Sequence, residues 1–489
     1  MDRHGAAPVG AWPLKRCFLP VVFSSPLFLF VFLPVVFLAY FASGDRWRNA
    51  VLLVASLLFY TVSAGGYVLL LFFSIGANYA LGRQMERCED KRRRLVVLTA
   101  VAANMIPLFV FKYSGFAALS ANSVLGHLGF TNAIPVPAWF LPAGISFFTF
   151  QGLAYVIDVY RKETPPCASL SEFALFKSFF PQLVAGPIVR YHNLSGELKS
   201  RRHSTILVQE GLVRFGFGLS KKILLADNLG RVADSVFGSP SASLDPSTAW
   251  VGIVCYTLQI FFDFSGYSDM AIGLGRVFGL SLPENFNQPY RSASITEFWR
   301  RWHMTLSGWF RDYVYFPLGG NRKGAMRTGA NLLIVFFLCG LWHGASCTFV
   351  IWGFFHGLLL LIERTLKTAF GIQPRGLPGR VLTMVLVMIG WVFFRAHSPG
   401  TALEYLKHLG GVAAAQPGLF GPMHYLTANN VTYLVIGTLV ALWPERRPAT
   451  EEQSGIWPAI RPAAAVIVTL LAIVGQAPQS FNPFIYFQF

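Results

Sequence analysis

Charge is what this sequence has least of. Only 13% of its 489 residues are Asp, Glu, Lys or Arg, against about 25% in soluble domains. With 54% hydrophobic residues, that shortage excludes a set of water-soluble domains and leaves a membrane protein. Acidic residues are scarcer still, 23 against 40 Lys and Arg, for a net charge of +17. The basic excess sits in short clusters between apolar runs, such as Lys91-Arg92-Arg93-Arg94. That is the pattern of cytoplasmic loops that orient spans, and no nucleic acid is expected as a partner. Cysteines number six, none in a C-x-x-C pair, so neither a disulfide framework nor a paired-cysteine metal site is indicated. There is no G-x-S-x-G elbow, no P-loop and no G-x-G-x-x-G, which removes the common serine-hydrolase, nucleotide and dinucleotide chemistries. No His is followed four residues later by Asp, so the H-x-x-x-D arrangement of another acyltransferase class is also missing.

What the sequence has is long apolar runs. A spanning helix takes about 20 residues. Residues 17–41 carry no charge, and neither do residues 49–81, which Gly65-Gly66 divides into two short halves, read as a helical hairpin. Residues 95–111, 136–157 with Pro142 as a kink, 249–280, 381–394, 431–443 and 463–474 are further apolar stretches. Residues 330–362 have no charge over a length that allows two passes. Residues 171–189 are apolar but interrupted by Pro181 and Ala185-Gly186-Pro187, as in a re-entrant segment, and 206–225 is amphipathic. The expectation is an all-α polytopic membrane protein with about 11 or 12 transmembrane helices plus re-entrant or interfacial ones.

The basic loop 82–94 is expected in the cytoplasm. Counting back three spans then places the N-terminus outside, against Arg3, Lys15 and Arg16. Either the span count is off, or residues 1–20 are a basic extension absent from the natural protein; residues 21–489 are read as a single membrane domain. N-terminal sequencing of protein made from its own gene tests this; a mature end at Met1 or Asp2 would refute it.

Two regions combine polar chemistry with apolar surroundings. In residues 285–324, a helical reading places Phe298, Trp302, Leu306, Trp309 and Tyr313 on one face, with Arg300, Ser307 and Arg311 opposite and His303 at the edge. Such a helix suits the membrane interface, or it carries a polar site into the bundle. Asp312 has Arg311 beside it and can pair with arginines one turn back. The second region is "FLCGLWHGASCTFVIWGFFHG", which holds His343 inside an apolar run. A histidine there is either a buried bridge between helices or a functional group. Buried among apolar side chains it is expected to be neutral, able to accept a proton from an attacking hydroxyl or thiol. Cys339, His343 and Cys347 at i, i+4, i+8 raise a zinc site, but no fourth ligand is evident and none is expected. His356 reads as a packing or bridging residue. Asp263 and Asp269 are intramembrane carboxylates, read either as an ion path or, preferably, as structural partners of Arg276 or Arg300/Arg301.

The stretch "ENFNQPYRSASITEFWRRWHMTLSGWFRDYVYFPLGGNR", followed by "GLWHGAS", strongly resembles the membrane-bound O-acyltransferase family. "LPAGISFFTFQGLAYVIDVYR", "FPQLVAGPIVR" and "QIFFDFSGYSDMAIGLG" strengthen the likeness to its branch that acylates exported polymers, alginate above all. The resemblance implies a ring of helices around a central tunnel, with a funnel from each side meeting at a histidine. The family's W-H-G histidine matches His343, and its R-R-W-H histidine matches His303. It implies His343 and His303 as catalytic groups and Trp302 and Trp342 as tunnel walls, with Asp312, Asp263 and Asp269 in support. It implies an enzyme of the bacterial inner membrane with no bound cofactor. The acetyl donor would be cytoplasmic, with acetyl-CoA the obvious candidate, and the acceptors would be periplasmic hydrolase-like acetyltransferase proteins. The family start, Met-Val-Phe-Ser-Ser, resembles "VVFSS" at residues 21–25, consistent with a start at Val21. Cellulose or another glycan as the polymer, a transporter, and a non-catalytic scaffold are the competing readings.

Overall fold

A computed structural model describes residues 22–130, 133–240, 244–412, 421–444 and 457–476. The expected extension at 1–20 lies outside the described residues. Among them every regular element is a helix. Six helices are long and apolar enough to cross a membrane: Asp45–Glu86, Asp90–His127, Pro246–Val277, Gly324–His343, Cys347–Phe370 and Gly376–Arg395. Shorter apolar helices span Phe28–Ala42, Ala428–Leu442 and Ile460–Gly475. Large apolar side chains such as Leu38, Leu69, Leu98 and Leu439 point outward. In water that surface would drive aggregation; against lipid tails it costs nothing. The chain is a multi-pass, all-α membrane protein.

Pro246–Val277 is the central helix, buried along almost its whole length. It lies close against Thr205–Ser220. Gly211 opposes Gly273 and Gly218 opposes Gly266, and a Cβ on any of the four would stand 2.5–2.7 Å from the facing carbonyl oxygen. Where lipid outside is as apolar as the protein, such close backbone approach supplies the packing that joins helices. The expected re-entrant segment is two short helices, Leu170–Ser178 and Phe180–Leu183, broken ahead of Pro181. Its irregular backbone is buried in protein, the setting in which such backbone is tolerated at membrane depth. The chain breaks at Gly65 (φ +56°), as the glycine pair suggests.

Two features aim the polar residues inward. The span Asp90–His127 contains Pro107, and a π-turn, Phe109–Tyr113, follows at once. Proline removes a ladder N–H and disturbs the helix there. The spans Gly324–His343 and Cys347–Phe370 pack together through Gly340 and Gly353. A Cβ on Gly353 would run into the Phe336 carbonyl, and one on Gly340 into that of Phe349. Gly353→Ala is therefore expected to lower the thermal midpoint in detergent, since overpacking costs about 1–3 kcal/mol. An unchanged midpoint would mean that the two helices separate freely.

Candidate functional site

His343 is the last residue of its helix. Gly344 is extended and the next helix starts only at Cys347. The break destroys the continuous helix on which Cys339, His343 and Cys347 would share a face: Cys339 is buried and Cys347 exposed. The His343 ring is enclosed by Trp342, Trp352 and Phe394, with centroids 4.9, 5.0 and 5.2 Å away.

The region around His303 is not the one continuous helix expected, in either of its two readings. It forms two short helices, Ile295–Arg301 and Met304–Phe310, followed by a π-turn, Arg311–Tyr315. The proposed apolar face is real, since Phe298, Trp302, Leu306, Trp309 and Tyr313 are all buried. It packs into the protein core and not onto a membrane surface. The break falls at His303, whose φ is +43°. Such backbone is uncommon for a residue with a Cβ and persists where surrounding contacts hold it.

Asn285 is the holder. The backbone N–H of Thr305 can only donate, and it meets Asn285 Oδ1 at 3.3 Å. Thr305 Oγ1 donates to the same oxygen at 2.8 Å. His303 Nδ1, 3.0 Å from that oxygen, must therefore be the protonated nitrogen. In a neutral ring Nε2 is then the proton acceptor. The amide Nδ2 of Asn285 donates to Ser268 Oγ at 3.2 Å, on the central helix. Asn285→Ala would leave buried donors without their acceptor at about 1–3 kcal/mol each. It is expected to lower acyl transfer, with Asn285→Asp, which keeps an oxygen, recovering part of it. Equal activity in the two variants would show that the acceptor at this position is immaterial.

Trp342 stands between the two histidines, its ring 5.8 Å from His303 and 4.9 Å from His343. Lys112, on the π-turn, donates from Nζ to the Trp342 carbonyl at 2.5 Å and to Ser146 Oγ at 3.2 Å. Tyr113 donates to the Leu341 carbonyl at 3.0 Å. Sequence reading passed over Lys112, although it is the lone charge in "PLFVFKYSGF", because there it simply ends an apolar run. Asn285 was inside the quoted motif, but nothing in its spacing pointed to His303.

The other named residues take different places. Trp302 belongs to an aromatic cluster with Phe286, Phe298 and Trp391, at 5.1, 5.6 and 5.0 Å. His356 accepts from Trp299 Nε1 at 3.4 Å, a bridging role as expected. Asp263 and Asp269 are paired, but not with the arginines expected. Lys222 reaches Asp263 at 2.6 Å and Asp227 at 2.8 Å. Asp269 takes Lys221 at 2.7 Å and Arg214 at 2.9 Å. Arg276 and Arg301 bind Glu210 and Glu297 instead. The reason is packing: the central helix lies on the helical stretch that carries residues 214–227. Side-chain cations thus occupy the carboxylates that an ion path would use.

Asp312 is held by arginines. It pairs with Arg190 at 2.5 Å and Arg311 at 2.8 Å, not with arginines one turn back. Burial alone would raise its pKa, but the hydrogen bonds from Arg311 and Arg190 outweigh burial and hold it below the usual carboxylate value. A depressed carboxylate lends stability above its unfolded pKa and loses it as pH falls through the folded one. Arg161 donates to the Asp312 carbonyl and Arg93 to that of Val159. The basic loop and the Asp312 cluster therefore share one face.

The site can hold a neutral base at His303 beside a second imidazole at His343, with an indole between them. The model of the membrane-bound O-acyltransferase family matches residues 160–395. A "probable alginate O-acetylase" of Pseudomonas putida is 39% identical over 96% of this chain and all of its own length. A peptidoglycan O-acetyltransferase of Helicobacter pylori is 38% identical, covering 80% of each chain. A teichoic acid D-alanyltransferase of Bacillus subtilis is 29% identical over 66% of this chain and 82% of its own.

Proposed function

This chain belongs to the membrane-bound O-acyltransferase family, and on that footing we propose that it moves an acetyl group from a cytoplasmic donor across the bacterial inner membrane for O-acetylation of an exported polysaccharide, alginate. That it is an acyltransferase of the polymer-modifying kind follows from the family and its relatives. The finer reading rests most on one observation: two buried imidazoles at breaks in the helices, both against the Trp342 ring.

The chemistry assigned to them is base-assisted transfer from a thioester, with acetyl-CoA as the donor. An acceptor hydroxyl gives its proton to an imidazole nitrogen as its oxygen bonds to the acyl carbon. The carbon–sulfur bond breaks, and the thiolate takes up the proton. His343 is the base or its immediate partner, and His303 Nε2 is the second proton-accepting atom. General base help of this kind contributes about 10²–10⁴-fold. The immediate acceptors are periplasmic hydrolase-like acetyltransferase proteins, which hand the group to the polymer.

A second acceptor polymer, peptidoglycan, is favoured by the Helicobacter pylori relative. Expression of this chain in an alginate-producing strain that lacks its own membrane subunit separates the two. Restored ester-linked acetyl on alginate supports the first reading. Acetyl found only in peptidoglycan supports the second.

A further inference from the structure

A cleft of about 400 Å³ opens between the helices Asp227–Phe237 and Ala428–Leu442 and the turn Pro422–Tyr425. That volume is within the range of small-ligand sites, about 300–1,000 Å³. None of its lining residues comes from the segments that carry His303 and His343.

The cleft faces away from the cytoplasm. Arg364, Lys367, Arg375 and Arg380 border the short loop between the spans Cys347–Phe370 and Gly376–Arg395, which marks that loop as cytoplasmic. The second of these spans has 20 residues, about 30 Å of helix, enough to cross the hydrocarbon core. It therefore ends with Arg395 on the outer side. Arg395 binds Asp234 at 2.7 Å, and Asp234 adjoins Ser235, which lines the cleft.

The lining narrows the ligand. Among the described residues that form it, Val232 is the one aliphatic side chain and none is acidic. A lipid tail would want apolar walls, a metal ion carboxylates, and a polyphosphate several cations. What is present is amides, hydroxyls, tyrosine rings and the Arg231 guanidinium. Amides and hydroxyls both donate and accept, as the hydroxyls of a sugar do. Guanidinium forks match carboxylates.

The groups are held in place. One Arg231 nitrogen donates to Asn228 Oδ1. Asn228 is itself fixed, donating to the Ile223 and Leu224 carbonyls at 3.1 and 2.9 Å. Among the described residues Arg231 forms no ion pair, and the acids of its own helix are taken: Asp227 by Lys222 at 2.8 Å and Asp234 by Arg395. On the other wall, Asn430 donates from its backbone N–H to Thr427 Oγ1 at 3.3 Å and from Nδ2 to the Tyr425 carbonyl at 2.8 Å. The Tyr425 hydroxyl meets Ser239 Oγ at 3.2 Å. Walls fixed in advance lower the ordering cost of binding.

We propose that this cleft binds a carboxylated glycan, a chain of uronate sugars, on the outer face of the membrane. Arg231 takes a sugar carboxylate. The Asn429 amide, the Asn430 carbonyl oxygen and the Ser235 hydroxyl take ring hydroxyls, and the Tyr433 ring meets an apolar sugar face. No covalent bond changes there. Holding the glycan at the membrane keeps it near the point where the acetyl group emerges. The ligand class comes from the cleft; that this glycan is the polymer acetylated rests on the function proposed above.

The test uses full-length protein in phosphatidylcholine nanodiscs and two fluorescently labelled hexasaccharides. One is derived from alginate, with a carboxylate on every sugar; the other is cellohexaose, with none. Wild type is expected to bind the first at least tenfold more tightly. Arg231→Gln should weaken the uronate hexamer at least tenfold and cellohexaose little. Arg231→Lys, which keeps the charge and loses the fork, should fall between. Asn429→Ala should weaken both sugars. Arg231 and Asn429 are exposed, so these variants are expected in the membrane at near wild-type level. His343→Ala should bind both sugars as wild type does.

No saturable binding, equal affinity of wild type for the two hexamers, or equal affinity of wild type and Arg231→Gln for the uronate hexamer overturns the proposal. Should Arg231→Gln fail to accumulate, Asn429→Ala decides, and unchanged affinity for both sugars overturns it. Acetyl content of the exported polymer, measured in cells carrying the same variants, separates this site from the catalytic reading. Uronate binding that depends on Arg231, together with full acetylation by His343→Ala, would keep the site and refute that reading. Acetylation lost in His343→Ala, with no hexamer bound by any protein, would do the reverse.

Discussion

His343→Ala is expected to remove acetyl groups from the exported polymer while the protein remains in the membrane at its normal level. The ring occupies the end of a helix and packs edge-on with Trp342, Trp352 and Phe394. Its loss leaves a small cavity, and the helix pair is still locked by Gly340 and Gly353. Stability should therefore survive where chemistry does not. Loss of a general base lowers transfer by about 10²–10⁴-fold, which in a polymer assay is indistinguishable from none. The measurement is ester-linked acetyl per sugar in a deletion strain carrying wild type or variant, with both proteins quantified in the membrane. Acetylation that persists would remove His343 from the transfer step and bring the scaffold and transporter readings forward.

Lys222→Met has a comparably large expected effect of the opposite kind: the protein should fail to accumulate. Lys222 is buried and binds Asp263 on the central helix and Asp227 on its own stretch. Removing one partner of a buried ion network costs about 3–5 kcal/mol, a large share of the roughly 5–15 kcal/mol that holds a protein folded. Here it would leave two carboxylates close together without the cation between them. Replacing all three as Lys222→Met, Asp227→Asn and Asp263→Asn removes the uncompensated charge and should restore much of the membrane level, read by quantitative immunoblotting. A single Lys222→Met protein at wild-type abundance would show that the network contributes little to stability. Full loss of acetylation in an abundant triple variant would instead give the network a functional part.

The Asp263 result shows how far a sequence carries an argument of this sort. That an intramembrane carboxylate must be paired follows from electrostatics alone, and the pairing is there. Which cation it meets depends on which helix lies beside the central one. Gly211 and Gly218 brought residues 214–227 against it, and the arginines named from sequence went to other carboxylates. The region 285–324 behaved likewise. Its apolar positions are buried as their helical spacing implies. The break at His303, the turn to φ +43° and the grip of Asn285 depend on contacts between residues far apart in the fold, which no periodicity records.

By itself the sequence determined the class of molecule, because apolar runs that water cannot tolerate and basic clusters that mark loops are properties of composition and order. It also determined which histidines merit attention, because an imidazole within an apolar run is costly wherever the chain places it. Only the tertiary structure decided what surrounds them: Trp342 between the two rings, Asn285 selecting the proton-bearing nitrogen of His303, and Lys112 at the helix end before His343. Those partners come from separate elements, and side chains distant in sequence acquire fixed distances only when helices pack.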